Sequence, residues 1–239
     1  MVENTGLMVC FGGLPPGNMQ VAVAGAGNHD SVSWLRQARS NGCEFVSISP
    51  IRQNTADFVE AEWLHPRPNT DTAVMLALAH VLAAESLHDE DFLKSHCVGY
   101  EKFESYVLGK TDGRPKSPEW AAEIAGIDPE AIHKLARRMA ASRTMLTSTY
   151  SLQRGDHGEQ PFWMVVVLAA MLGQIGLPGG GFSMGYGSMG VNRNAATDLV
   201  APGLTPGRNP TDNAIPVARI SDMLLHPDEP YQFKGSDLV

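Results

Sequence analysis

The sequence predicts an α/β fold with parallel strands, because two apolar strands flank one helix. Leu7 to Phe11 is a continuous apolar run that ends in a glycine turn, and Glu44 to Ile48 is predicted as a second strand. Between them, Ser31 to Arg39 carries apolar residues at helical spacing. This order predicts a parallel pair of strands with a right-handed crossover. The loops after both strands would then meet at the carboxyl edge of the sheet, where open sheets bind ligands.

A glycine pattern typical of nucleotide binding lies between the first strand and the helix, but it is incomplete. Val21 to Gly27 reads as a strand that runs into a Gly-x-Gly turn, and the third glycine position holds Asp30. The acidic residue expected about 20 positions later to bind a ribose is replaced by Ser49 or its neighbours. A carboxylate at position 30 would also repel a pyrophosphate. The pattern therefore favours a loop over a nicotinamide nucleotide site.

The segment after the second strand predicts a short helix, an extended stretch and a long helix. Asn54 to Glu60 is the short helix, and two prolines keep Trp63 to Pro68 extended. The long helix begins at Asn69-Thr70-Asp71 and continues to about Glu85. Asp71 has two interpretations: it caps backbone donors and suits the helix dipole, or its carboxylate accepts paired N–H donors from a purine such as guanine.

Three further helices are predicted downstream, each introduced by an Asp or Pro start signal. They cover Asp89 to Leu108, Pro118 to Ala125 and Pro129 to Ala140. A buried apolar stripe runs along them and includes Trp120. His133 lies beside this stripe, and we expect a packed or exposed histidine there rather than a ligand.

The stretch from Thr144 to Gly190 places a strongly polar turn between two apolar segments. A short apolar strand at Met145-Leu146 leads into the turn from Ser148 to Gln160, and a helix from Phe162 to Ile175 precedes a glycine loop. Such a turn belongs at the edge of a core, beside a pocket. The helix has no polar face, which predicts a central, buried helix. Its apolar run is shorter than the roughly 20 residues that span a bilayer, so we exclude a membrane span.

Composition excludes several classes of protein. The formal net charge is -8 and no run of Lys or Arg is present, which argues against nucleic-acid binding. The three cysteines are widely spaced and indicate neither a disulfide framework nor a Cys-x-x-Cys metal site. The first six residues lack the basic region and the long apolar run of a signal peptide, so we expect none before the first strand, and the cellular compartment stays open. The chain stops just after a new apolar residue, Leu238, which predicts that it is part of a longer polypeptide.

A long run of residues resembles the molybdopterin oxidoreductases of the dimethyl sulfoxide, trimethylamine N-oxide and biotin sulfoxide reductase group. The run comprises Gln153-Arg154, His157 to Gln160, Trp163-Met164 and Leu168 to Phe182. Further matches cover nearly the whole chain: Pro68 to Asp71, Pro115-Lys116, Glu119 to Ala121, Arg143 to Met145 and Ile215 to Arg219. The catalytic chains of that family are several times longer. The resemblance therefore implies one middle segment of such an enzyme.

The resemblance implies a Rossmann-like parallel sheet flanked by helices that serves one dinucleotide of the cofactor. Residues 1–190 would form this binding domain, and residues 191–239 an irregular loop and the start of the next, truncated segment. In the family, two molybdopterin guanine dinucleotides hold the molybdenum, and a serine usually completes its coordination. That serine lies upstream of the matching segment, so no molybdenum ligand is assigned in this chain.

The resemblance also carries the cofactor-binding positions of the family onto this sequence, in three groups. The first group follows the two strands, the second is an aspartate that contacts guanine, and the third is the turn before the apolar helix. The residues are Gly12, Ser49 and Pro50, then Asp71, and finally Tyr150, Gln153 and Arg154. Tyr150 stands where the family usually has Trp. The arginine of the Gln-Arg pair lies near substrate and pterin in the family.

Several positions depart from the family pattern where the cofactor would bind. Leu14 replaces the asparagine of a Gly-x-Asn-Pro turn, Ser49 stands where relatives carry Asp, and Asp156 adds a carboxylate near a phosphate-rich cofactor. Two functions therefore stay open. One is a segment of a reductase that acts on small S-oxides or N-oxides with an electron donor, inactive when isolated. The other is a noncatalytic nucleotide-binding or interaction module derived from that family.

Overall fold

The fold is built on a sheet in which every neighbouring pair of strands is parallel. The computed structural model describes residues 2–15, 17, 31–182, 207–208, 217–229, 231–233 and 236–238. Within these residues the main sheet has five strands in the order β3-β2-β1-β4-β5. The strands are β1 (Leu7–Phe11), β2 (Glu44–Ile48), β3 (Glu62–Leu64), β4 (Thr144–Ser148) and β5 (Gly181–Phe182). The predicted α/β class and parallel sheet are confirmed.

The three central strands end in step with one another. Phe11, the last residue of β1, is opposite Ile48 of β2 and Ser148 of β4. Because parallel strands in this register finish together, the loops that follow β1, β2 and β4 leave the sheet at one edge.

Helices cover both faces of the sheet. In chain order the described helices of the first unit are α1 (Ser31–Ser40), α2 (Asp71–Ala84), α3 (Glu90–His96), α4 (Tyr100–Val107), α5 (Pro118–Ala125), α6 (Pro129–Ala141) and α7 (Glu159–Met171). Side chains of β1 alternate between the two faces, as the period of a strand requires. Leu7, Val9 and Phe11 join the larger core with α2, α5, α6 and α7. Met8 and Cys10 join the smaller core beneath α1.

Two predicted helices differ in the structure. The short helix expected at Asn54 to Glu60 is instead a pair of 3-10 turns, Arg52–Asn54 and Asp57–Val59. The helix expected from Asp89 to Leu108 is two helices, α3 and α4. The break falls at Gly99, which has a left-handed φ of 84° and forms the N-cap of α4. A left-handed residue cannot continue an α-helix, and glycine adopts that conformation without a steric penalty.

The apolar helix α7 is shorter and less enclosed than its composition predicts. It ends at Met171, not at Ile175, and Trp163 on it is 66% exposed. Met164, Leu168 and Met171 are buried. The face that carries Trp163 borders a groove of about 600 Å³, shared with Val98 and other apolar side chains of the α3–α4 region. The prediction that α7 is buried on every side is therefore wrong for the face that carries Trp163, although the helix has no polar face.

The chain divides into two compact units, Met1–Ala196 and Thr197–Val239. In the second unit the structure describes a 3-10 turn at Val217–Arg219, helix α8 (Ile220–Leu225) and an antiparallel pair, β6 (Tyr231–Phe233) with β7 (Ser236–Leu238). The incomplete glycine pattern at Val21 to Gly27, the loop from 183 to 190 and most of the irregular segment from 191 to 213 lie outside the described residues. None of the helices described here is long and apolar enough to cross a bilayer.

We expect the side chain of Gln174 to contribute to the stability of the fold, because it forms two hydrogen bonds with the main chain at the start of β4. Its Oε1 accepts a hydrogen bond from the buried Thr144 N–H at 2.8 Å, and its Nε2 donates to Ser142 O at 2.8 Å. Gln174→Ala leaves a buried donor unpaired, so the free energy of unfolding in urea should fall by about 1–3 kcal/mol. Gln37→Ala, at an exposed position of α1, is the matched control and should change it by less than about 0.5 kcal/mol. Equal effects of the two changes would contradict this role.

Gly12 and Gly6, which flank β1, should respond differently to a methyl group. A Cβ at Gly12 would lie 2.0 Å from Thr149 Oγ1, at a φ of +83°, whereas a Cβ at Gly6 meets nothing closer than 3.7 Å. Gly12→Ala should therefore lower the melting temperature by an amount that corresponds to about 1–3 kcal/mol. Gly6→Ala should leave it nearly unchanged, and a similar loss in both variants would show that the turn after β1 tolerates rearrangement.

Candidate functional site

A cleft of about 680 Å³ opens at the carboxyl edge of the sheet. Its lining includes Gly12 after β1, Ser49 and Pro50 after β2, and Asp71 at the start of α2. The edge at which β1, β2 and β4 end together explains why these residues, distant in sequence, share one cavity. Four of the seven predicted cofactor-binding residues thus come together in the structure.

Gly12 brings the main chain of the first turn close to the turn after β4. Its N–H donates to Ile48 O at 2.8 Å, and Thr149 N–H donates to Phe11 O at 2.9 Å. These hydrogen bonds extend the sheet by one residue on either side of the cleft. A Cβ at position 12 would overlap with Thr149. Gly12 therefore contributes only main-chain atoms to the lining of the cleft.

Ser49 shapes the second turn from a fully buried position. Its Oγ accepts hydrogen bonds from Ile51 N–H at 3.3 Å and from Asn54 Nδ2 at 3.4 Å. Its main-chain oxygen accepts a hydrogen bond from Trp63 Nε1 at 2.8 Å. The hydroxyl therefore has hydrogen-bond partners within its own loop.

Asp71 is the buried carboxylate of the cleft. The residue is 7% exposed, and its Oδ1 has no hydrogen-bond partner among the described residues. Burial raises the pKa of this carboxyl above the ordinary value, with a smaller opposing effect from a backbone hydrogen bond. Removing a carboxylate from water without pairing it is unfavourable, and the N-terminus of α2 offsets only part of that penalty.

The neighbouring Thr70 does not cap α2 with its side chain. Its Oγ1 donates to Arg67 O at 2.6 Å, and the cap position has no side-chain hydrogen bond. The Thr70 hydroxyl is therefore used outside the helix. Asp71 retains an acceptor atom that nothing else in the described part of the chain uses.

Arg67 ties the start of α2 to the end of α5. Its Nη1 donates to Glu123 O at 2.8 Å and to Ile124 O at 3.0 Å, and its N–H donates to Ala125 O at 2.8 Å. A guanidinium on the last carbonyls of a helix satisfies acceptors that the helix leaves open. The contact places α5 against the Asp71 side of the cleft, where Trp120 and Ile124 line the wall.

The turn after β4 does not present its predicted residues to this cleft. Tyr150, Gln153 and Arg154 are exposed and lie outside its lining. A 3-10 turn at Leu152–Arg154 directs Leu152 towards the core and its two successors to solvent. Tyr150 stacks near Phe162, with ring centroids 6.4 Å apart. From this turn the cleft instead takes other residues: Ser151, Leu152, Gly155, Asp156 and His157.

The charges of the lining are sparse and mostly negative. Its ionisable side chains are Asp71, Asp156 and His157, and no Lys or Arg belongs to it among the described residues. His157 Nε2 lies 3.9 Å from Asp156 Oδ2, and both side chains are largely exposed. The remaining polar groups are neutral: Ser49, Asn54, Asn69, Thr70, Thr72, Ser151 and Gln160. This set suits a ligand that offers N–H and O–H donors.

Sequence reasoning missed two important residues of the cleft. Asn69 has a left-handed φ of 63° and its Oδ1 packs against Gly155, where an added Cβ would lie 2.4 Å away. Two features of the sequence could have indicated Asn69: it lies two residues before Asp71, and asparagine adopts the left-handed conformation more readily than most residues. Trp120 was assigned to the buried stripe, but it is half-buried and lines the cleft. Helical periodicity alone cannot separate those two roles.

Other ionisable clusters in the described residues do not form a metal site. No three His, Cys, Asp or Glu side chains in that part of the chain converge in a way that could hold a metal ion. His133 lies 3.7 Å from Glu85 and 3.6 Å from Glu119, in a surface network with Arg137. Burial raises the pKa of the Cys43 thiol to about 11, which keeps it protonated and unreactive.

Comparison with known proteins identifies close sequence relatives. The model of the molybdopterin oxidoreductase family matches residues 2–225. Biotin sulfoxide reductase from Cereibacter sphaeroides is 44% identical over 99% of this chain and 32% of its own length. Dimethyl sulfoxide/trimethylamine N-oxide reductase from Rhodobacter capsulatus is 39% identical over 99% of this chain and 30% of its own. This chain thus spans about a third of the length of these relatives.

A solved structure has a similar fold, and the sequence matches show the family. Acetylene hydratase from Pelobacter acetylenicus superposes with a TM-score of 0.59 over 73% of this chain and 22% of its own, at 23% identity. At that identity the likeness shows the fold alone. The family model, in contrast, covers nearly the whole sequence. The chain belongs to the molybdopterin oxidoreductase family.

Proposed function

We propose that this chain is the part of a molybdenum-dependent S-oxide or N-oxide reductase that binds the guanosine end of one molybdopterin guanine dinucleotide. Residues 1–190 are the proposed binding domain, and residues 191–239 begin the following segment. The relatives are named as reductases of biotin sulfoxide, dimethyl sulfoxide and trimethylamine N-oxide. When bound, the molybdenum cofactor supplies oxygen-atom transfer, in which two electrons and two protons from a donor convert the oxide to its reduced form and water.

The buried Asp71 Oδ1 without a partner is the observation that carries this proposal. An ionised carboxylate has only acceptor oxygens, and guanine presents two adjacent N–H donors along one edge. Two parallel charge-assisted hydrogen bonds would satisfy both sides. The 7% exposure of the residue means that water competes weakly for the same oxygen. The residues present therefore fit the guanine base.

The rest of the cleft fits the ribose better than the diphosphate. Its neutral hydroxyl and amide groups suit sugar hydroxyls, and Gly12 lets the main chain approach the ligand closely. Gly12, Ser49, Pro50 and Asp71 are accordingly the proposed contacts of the guanosine. The lining has no Lys or Arg within the described ranges, which leaves His157 and neutral hydroxyl, amide and main-chain N–H groups as its candidate partners for phosphate. We propose that Tyr150, Gln153 and Arg154, which are exposed beyond this cleft, contact the cofactor or substrate further along.

A noncatalytic nucleotide-binding module is the second candidate function. The scarcity of cationic side chains in the cleft and the buried hydroxyl of Ser49 at a carboxylate position of the relatives favour it. Metal and pterin analysis of the purified chain, together with oxidation of reduced viologen by dimethyl sulfoxide or trimethylamine N-oxide, separates the two. Guanine nucleotide binding without retained pterin in any expression host supports the module. Molybdenum with turnover would show that this chain alone is a complete enzyme and would refute the segment proposal.

The base-reading role of Asp71 predicts a loss of guanine preference in Asp71→Asn. The amide has one acceptor oxygen and no charge, so the dissociation constant for GDP in calorimetry should rise about 10- to 100-fold. Binding of ADP, which lacks the two donors, should change little. Asp91→Asn is the matched control, because Asp91 stands in the first turn of α3 but is exposed. An unchanged GDP affinity in Asp71→Asn would remove the proposed contact.

The raised pKa of Asp71 predicts that the same variant is more stable without ligand. A folded-state pKa above the unfolded value means that the native chain binds more protons, so this group lowers stability as pH rises through and above the ordinary Asp range. Asp71→Asn should therefore melt at a higher temperature than wild type at neutral pH, by roughly 2–4 °C per kcal/mol relieved. The gain should vanish near pH 3, where both states of wild type are protonated. A fixed, subsaturating concentration of GDP should raise the melting temperature of wild type more than that of the variant. A pH-independent difference between the two proteins without ligand would contradict the role of the charge.

A further inference from the structure

Trp120 forms one wall of the cleft that contains Asp71. It lies on α5 and is half-buried, and Ile124 lines the same wall one turn later. Part of the indole packs against the larger core, and the remainder is accessible from the cleft. A large aromatic surface in a cleft with few charges is suited to a flat, uncharged ring system.

A buried cation fixes the environment of this indole. Lys116 Nζ lies 5.8 Å from the centroid of Trp120 and 4.4 Å from that of Tyr106. The side chain of Lys116 is only 3% exposed, and its ammonium donates to Asp112 Oδ2 at 2.6 Å and to Arg114 O at 2.5 Å. These hydrogen bonds leave the ammonium little freedom. Its attraction to both ring faces orients the aromatic side chains around it.

Hydrogen bonds from Arg67 to main-chain carbonyls of α5 hold this wall beside the segment that carries the carboxylate. Arg67 joins the segment before α2 to the last carbonyls of α5, so Asp71 and Trp120 belong to two helices that are locked together at this end. A ligand in the cleft therefore meets the carboxylate and the indole in a fixed relative position.

We propose that Trp120 is the stacking surface for the purine whose edge Asp71 binds, with Lys116 as the residue that positions the indole. This inference rests on the proposed function. Hydrogen bonds along one edge select a base but leave both of its faces exposed to water, and an indole covers one face. Stacking acts on the π-face that every purine has. Asp71 accordingly determines discrimination between bases, and Trp120 determines affinity for purines in general.

This division of roles is tested by measuring GDP and ADP binding to the same set of variants. Trp120→Leu should weaken both nucleotides by a similar factor, about 5- to 150-fold, and leave their ratio unchanged. Trp120→Phe should retain most of the affinity, because a smaller ring still stacks. Lys116→Met should weaken both nucleotides less than Trp120→Leu does. Trp163→Leu is the matched control, since Trp163 is 66% exposed on α7 and outside this cleft, and it should bind like wild type.

Fluorescence supplies a second readout that a purely structural role would not produce. GDP should quench the tryptophan emission of wild type and of Trp163→Leu, and most of this quenching should disappear in Trp120→Phe even though GDP still binds.

Three results would overturn the inference, and they are distinguishable. If Trp120→Leu binds both nucleotides like wild type while Asp71→Asn loses its preference for GDP, the stacking role is wrong and the proposed function stands. If Trp120→Phe binds as poorly as Trp120→Leu and both melt early, Trp120 is a core residue only. If wild type binds neither nucleotide, the guanosine site itself is refuted and the stacking role with it.

Discussion

The common end point of β1, β2 and β4 is the constraint on which the rest of the molecule depends. Phe11, Ile48 and Ser148 are aligned across the sheet, so three separate turns leave it at one edge. A shift of one residue in either pairing would reverse the faces of the strand residues and move Val9 or Leu146, both fully buried, out of the larger core to the opposite face of the sheet. The position of the cleft is therefore fixed by the packing of the core.

The second determinant is the attachment of α5 to the start of α2. The helix α2 is buried along most of its length, and its first turn faces the cleft with an acidic residue. Arg67 connects that turn to α5 through carbonyl groups that a helix end leaves unsatisfied. The same contact satisfies a helix terminus and assembles a wall of the cleft. Stability and binding geometry thus share one set of hydrogen bonds.

The sequence correctly predicted the elements that are buried on both faces. It predicted burial incorrectly for a helix that is covered on one face and exposed on another. Leu7 to Phe11 is buried on both faces, and the second strand is buried from Phe45 to Ile48, so the apolar residues of each strand mark its position in the sequence. The helix α7 is equally apolar, but composition does not state which neighbour covers which face, and Trp163 remained exposed. The break at Gly99 depends on a single left-handed residue, which a periodicity over twenty positions does not detect. In the cleft, the strand ends predicted where the turns meet, and the family resemblance supplied Gly12, Ser49, Pro50 and Asp71. The path of a 3-10 turn, which neither of them describes, decides where Gln153 and Arg154 point. Trp120 needed the tertiary contact between two helices to be recognised.

The unpaired oxygen of Asp71 affects how stable the chain is in a cell with and without a bound ligand. A ligand that satisfies it stabilises the folded chain by mass action, so chains with and without nucleotide differ in how often they unfold. Proteases and chaperones act mainly on unfolded molecules, and a difference of 1–2 kcal/mol changes abundance about several-fold. Under the proposed function, copies that have bound the nucleotide through this carboxylate would therefore be degraded more slowly than copies that have not. The same residue that would bind the ligand lowers the stability of the ligand-free chain, so no separate protein would be required to distinguish the two forms.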